Sequence, residues 1–161
     1  MQSECVRFPV IAAFAFVVAC ARPKPPTIVP EKAVVTSIGP SGIGMNVELG
    51  VDNPNGVALA ARSVTAKVVL DGKYPLAAVT VPHEFTLAPR ARTKLVVPMA
   101  LAWADLSTLL VLASSNRSIP YDVDGTVTFG GDVLHADVPF HLAGVLTQEQ
   151  LLTTTLNSLT P

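Results

Sequence analysis

The chain has 161 residues, half of them apolar and 14% charged, with a formal net charge of −1. That length suits one domain, and with no basic run there is nothing to drive counterion release on a polyphosphate, which argues against nucleic acid as a partner. Both cysteines, Cys5 and Cys20, fall in the first 20 residues, so the rest of the chain holds no disulfide, thiol nucleophile or cysteine-type zinc site.

Met1 to Arg7 is a short polar segment with one cation, and Phe8 to Ala19 is an unbroken apolar run. Twelve helical residues reach about 18 Å, well short of a hydrocarbon layer of roughly 30 Å, so residues 1–19 read as a signal peptide and not a span. The ending Val17-Val18-Ala19-Cys20 resembles a bacterial lipobox. That resemblance implies acylation of Cys20, attachment to a membrane through the acyl chains, and, with Ala21 following, an outer-membrane address in the cell envelope. The alternatives are an ordinary secretory signal or a retained anchor. Residues 20–32, with prolines at 23, 25, 26 and 30, read as an extended tether.

From Ala33 the pattern is that of an all-β domain running to about residue 145. Ala33 to Ile38 is a short β-rich run closed by Gly39-Pro40. In Ile43 to Asp52, Met45, Val47, Leu49 and Val51 alternate with polar or small residues, the signature of a half-buried antiparallel strand. Asn53-Pro54-Asn55-Gly56 ends it with turn chemistry. Val57 to Ala61 is a short apolar piece, Ser63 to Leu70 alternates again, and Asp71-Gly72 is a strong hairpin signal before Tyr74 to Val81. Phe85 to Leu87 is brief, and His83 falls in a loop. Thr93 to Leu101 has Pro98 on its polar face, which places that strand at an edge or a bulge. Trp103 to Ala113 shifts to helical spacing, predicting one short inserted helix that caps the core, with Trp103 as a plug.

Tyr121 to Phe129 and Val133 to Leu142 form a hairpin around Gly130-Gly131. A two-residue loop pairs Val127 with Leu134, Gly125 with Ala136, Val123 with Val138 and Tyr121 with Phe140. The tail, residues 146–161, has a weak helical pattern in Leu151, Leu152, Leu156 and Leu159. Seven or eight short strands at this spacing predict an antiparallel two-sheet sandwich of immunoglobulin or fibronectin-III type.

The block from Val47 to Lys73, VELGVDNPNGVALAARSVTAKVVLDGK, resembles the LEA type 2 family, also known as the WHy (water stress and hypersensitive response) domain. The specific part of the match is the Asn53, Pro54, Asn55 motif between two alternating strands. The resemblance implies a β-sandwich with a short helix, a role in desiccation or stress protection, and no catalytic site. A cytosolic role, usual for many plant members, conflicts with the export signal here.

Nothing in the sequence spells an enzyme: there is no G-x-S-x-G and no glycine-rich phosphate loop, and no cofactor is implied. One polar cluster is a metal candidate. The register above sets Asp124 opposite Asp137 and Thr126 opposite His135, with Asp122 and His141 alongside; a divalent ion would relieve the like-charge pair. A solvated sheet face is the plainer reading. Asn53, Pro54 and Asn55 serve either as turn caps or as a ligand contact. The functional expectations are a lipid-anchored envelope protein of LEA type 2 kind, or a module that binds an envelope protein or an apolar ligand through a sheet edge or the helix-capped end.

Overall fold

In a computed structural model the described residues are 23–130, 135–147 and 149. Eight strands and one helix follow in order: β1 (Thr27–Gly39), β2 (Gly42–Asp52), β3 (Leu59–Leu70), β4 (Tyr74–Pro75), β5 (Val79–Leu87), β6 (Arg92–Ala102), α1 (Leu106–Ser114), β7 (Ile119–Gly130) and β8 (His135–Leu146). They build two antiparallel sheets, one ordered β1-β2-β6 and one ordered β4-β3-β7-β8, with β5 also paired to β3. The expected all-β sandwich with one inserted helix is the fold found.

The rhythm of two explains the core. Met45, Val47, Leu49 and Val51 of β2 face Val64, Ala66, Val68 and Leu70 of β3 and Val123, Val127 and Phe129 of β7, and all are essentially sealed from water. Burying a Val or Leu side chain is worth roughly 1.5–3 kcal/mol, so this double layer is the dominant stabilising term. Asp71 and Gly72 both adopt positive φ, 53° and 64°, and Lys73 N donates to Leu70 O at 3.1 Å. Two consecutive left-handed residues make the tight turn favoured in hairpins, and three residues, Asp71 to Lys73, separate the paired Leu70 and Tyr74. Pro98 lies on β6, an edge strand, as its missing N–H requires.

The strand limits differ from the sequence pattern at several points. β1 begins at Thr27, opposite Asp52, so six residues assigned to the tether belong to the sheet. Bulges near Glu31 and Thr36 interrupt its alternation and hide it from a period-two reading. Val57–Ala61 and Ser63–Leu70 are not two strands; β3 runs from Leu59 through a bulge at Arg62. His83 lies within β5 and not in a loop. The helix starts at Leu106, because Asp105 caps it: the Asp105 carboxylate accepts from Ser107 N at 2.9 Å. Trp103 therefore precedes the helix. Its ring is half-buried against the core, and its Nε1 donates to Gly39 O at 2.8 Å, tying the β1–β2 turn to the end of β6.

The last hairpin requires a correction. Val127 pairs with Val138, Gly125 with Phe140, Val123 with Leu142 and Tyr121 with Gly144, a register shifted by four from the one expected. An even shift keeps every side chain on its own face, so alternation cannot distinguish the two registers. Aromatic packing favours the observed one: the Phe140 ring lies over Gly125 and the Tyr121 side chain over Gly144, each so close that a Cβ there would collide with it. Tyr121 passes across Gly144 to donate its hydroxyl to Ala33 O of β1 at 2.9 Å, closing the side of the sandwich between β8 and β1. Residues 1–19, expected to be a signal peptide, Cys20 and nearly all of the 146–161 tail lie outside the described residues.

Candidate functional site

The site is the asparagine-proline turn, at the end of the sandwich where the N-terminal segment enters. Asn53 and Asn55 are the buried polar residues of the described chain. Asn53 continues from β2 and remains tied to the neighbouring strand, its N–H donating to Ala91 O at 3.0 Å. Its Nδ2 donates to Val57 O at 2.9 Å and Ala88 O at 3.0 Å, with Leu87 O at 3.5 Å. Its Oδ1 accepts from the N–H and the Nδ2 of Asn55, at 3.0 and 3.1 Å. One carboxamide thus joins the end of β2 to the β5–β6 turn, which crosses from one sheet to the other. An uncharged group with both donors and an acceptor is required, which is Asn and not Asp or Leu.

Asn55 reaches the other way. Its Oδ1 accepts from Lys24 N at 2.7 Å and its Nδ2 donates to Lys24 O at 2.7 Å. The side chain reproduces the paired bonds of a β bridge and grips the segment before β1 by its backbone. Asn55 O in turn accepts from Arg90 N at 2.9 Å. Arg90 holds a left-handed φ of 51°, uncommon for a residue with a Cβ. Pro54 is exposed and stiffens the bend between the two asparagines.

The outer face of the three-stranded sheet carries an ion network. Glu48 of β2 lies between Lys32 of β1, at 3.2 Å, and Lys94 of β6. Hydrogen bonding from Lys94, then from Lys32, holds the Glu48 carboxyl below its ordinary range. Arg92 bonds Glu31 at 3.3 Å and Asp52 at 3.7 Å. At the opposite end of the molecule Arg117 makes a bidentate pair with Asp71 and holds that carboxyl low.

The expected metal cluster is not assembled. Asp124 faces His141, not Asp137, with 2.8 Å between Oδ1 and Nδ1. Asp122 approaches the other ring nitrogen at 3.9 Å. Asp137 faces Thr128, whose hydroxyl donates to it at 2.8 Å, and His135 lies across from Gly130. The like-charge pair that motivated a cation is absent, and among the described residues no group of three or more His, Cys, Asp or Glu is placed to hold a metal ion. The four-residue shift of register is the cause. What the sequence missed is the contact of Asn55 with Lys24; no periodicity signals a side chain that binds backbone 31 positions away.

These features define a class: a two-sheet β-sandwich closed at one end by an asparagine-proline clasp whose polar groups are spent on backbone. The chain belongs to the late embryogenesis abundant protein family LEA_2, which matches residues 48–144. Three solved structures are similar in fold. A solution structure from Arabidopsis thaliana has 16% identity and a TM-score of 0.62, covering 82% of this chain and 88% of its own. A solution structure described as a late embryogenesis abundant protein has 18% identity and a TM-score of 0.62, covering 76% and 71%. A crystal structure from Archaeoglobus fulgidus has 14% identity and a TM-score of 0.56, covering 74% and 98%. No curated protein matches the chain.

Proposed function

We propose that this chain is a non-enzymatic, lipid-anchored protein of the cell envelope that protects membranes or neighbouring proteins when water is withdrawn. The observation that carries this reading is the use of the buried polar groups. The family motif is consumed in holding backbone: the hydrogen-bond partners of its two carboxamides among the described residues are peptide groups and each other. Envelope attachment rests on the Val-Val-Ala-Cys run. Acylation with two or three chains at about 0.8 kcal/mol per buried CH₂ anchors stably where one chain does not.

The test is mass spectrometry of the mature N-terminus together with membrane fractionation, for the native chain and Cys20→Ser. Acylated Cys20 and loss of membrane association in Cys20→Ser are expected. An unmodified N-terminus would overturn the anchoring, and an outer-membrane address would fall if the acylated protein fractionated elsewhere.

A second reading, an envelope binding module, is favoured by α1. Leu110 is 71% exposed and Val111 47% exposed on a helix without a charged residue. Replacing both with Gln would abolish a partner captured by cross-linking in intact cells while leaving acylation and fold intact; unchanged cross-linking would remove α1 from the interface.

A further inference from the structure

We propose that the clasp end of the sandwich is its membrane-facing surface, held against lipid headgroups because Asn55 fastens the leader at Lys24; this rests on the anchored reading above. Without the clasp and the first pairs of β1 with β2, the proline-rich segment from Cys20 to Lys32 would span on the order of 35 Å as an extended chain and leave the domain free to tumble. Pairing of β1 from Thr27 removes about half of that reach, and the hydrogen bonds from Asn55 shorten the free segment further, to the residues before Lys24. The leader is gripped at Lys24, and Thr27 is already paired with Asp52. Three residues lie between Cys20 and Lys24, so their Cα atoms can be at most about 14 Å apart.

An anchor that short, entering at one end of the strands, determines which end meets the bilayer. Close to the leader lie the turn carrying Asn53 to Val57 and the β5–β6 turn carrying Arg90. Val57 is 49% exposed, and the exposed Arg90 side chain comes beside Gly56. An exposed apolar side chain with an arginine on the adjoining turn suits the boundary between headgroups and water. A left-handed arginine where glycine is more easily accommodated is a backbone cost retained at this surface. The α1 end lies a strand length away, about 35 Å for the eleven residues of β2, and projects away from the membrane. Asn55 is a positioning residue; it touches the leader and not the lipid.

The test uses the acylated full-length chain on vesicles of phosphatidylethanolamine and phosphatidylglycerol carrying a headgroup quencher. A fluorophore is attached at Val57→Cys or at Leu110→Cys. Quenching at position 57 and none at position 110 is expected; equal quenching, or the reverse order, would overturn the orientation. In a second arm, Lys24 amide exchange is followed by NMR in the unacylated Cys20→Ser chain. Adding Asn55→Ala should speed that exchange about tenfold or more, while exchange in the centre of β7 stays slow. Unchanged exchange at Lys24 would overturn the clasp itself. A chain that is never acylated fails the anchored reading alone, since the exchange arm does not depend on lipid.

Discussion

Replacing Asn53 is the most informative perturbation of the fold. Asn53→Ala leaves the carbonyls of Val57 and Ala88 without their donor and the Asn55 amide groups without their acceptor. A buried polar group left unsatisfied costs about 1–3 kcal/mol, and water will reach part of this site, so about 3 kcal/mol is expected in total. For a domain of this size that lowers Tm by about 10 °C. Asn53→Asp separates the hydrogen bonds from packing, since it keeps the shape but replaces the donor amide by an oxygen facing two carbonyls. Burial and those carbonyls raise its folded pKa above the unfolded value. Its stability is therefore retained below the unfolded pKa and lost as pH rises through the folded pKa. Thermal unfolding followed by circular dichroism should show Asn53→Asp close to Asn53→Ala at pH 4 and clearly worse at pH 8. Asn116→Ala, on an exposed loop, should stay within about 0.5 kcal/mol of the native chain. If Asn53→Ala melts within about 2 °C of native, the motif does not clasp the two sheets and the reasoning fails.

Further outcomes follow from the same contacts. Gly125→Ala should destabilise by about 1–3 kcal/mol in urea unfolding, because the new methyl meets the Phe140 ring; a neutral result would contradict the observed register of β7 and β8. Tyr121→Phe should cost about 1 kcal/mol by the same measurement, by leaving Ala33 O unpaired. The carboxyls of Glu48 and Asp71 titrate below their ordinary values of 4.5 and 3.8 when folded. Their stabilisation is present above those values and lost as pH falls through the depressed folded ones. Tm against pH should thus fall on the acid side, less steeply in the double variant Glu48→Gln with Asp71→Asn. Arg90→Gly should raise Tm slightly, by relieving a left-handed φ worth on the order of 1 kcal/mol.

The sandwich was legible in the sequence because β2, β6 and the Ser63–Leu70 part of β3 alternate without interruption, and because Asp71-Gly72 readily takes the positive φ values a tight hairpin turn needs. β1 was legible only in part, since two bulges and Pro30 break its rhythm within a proline-rich segment. The β7–β8 register was not legible, because any even shift satisfies the same alternation and the choice rests on aromatic rings over glycines. That one slip created the apparent metal cluster. The asparagine motif was visible, but its grip on Lys24 was not, since a carboxamide that binds peptide groups leaves no mark on the residue it holds.

Drying tests the central claim most directly. Vesicles carrying an entrapped dye are dried and rewetted with the acylated chain, with Cys20→Ser, or with Asn53→Asp at pH 8. The account predicts that dye is retained with the native acylated chain and released with the other two. Equal leakage from all three would contradict a protective role that depends on a folded sandwich held at the membrane.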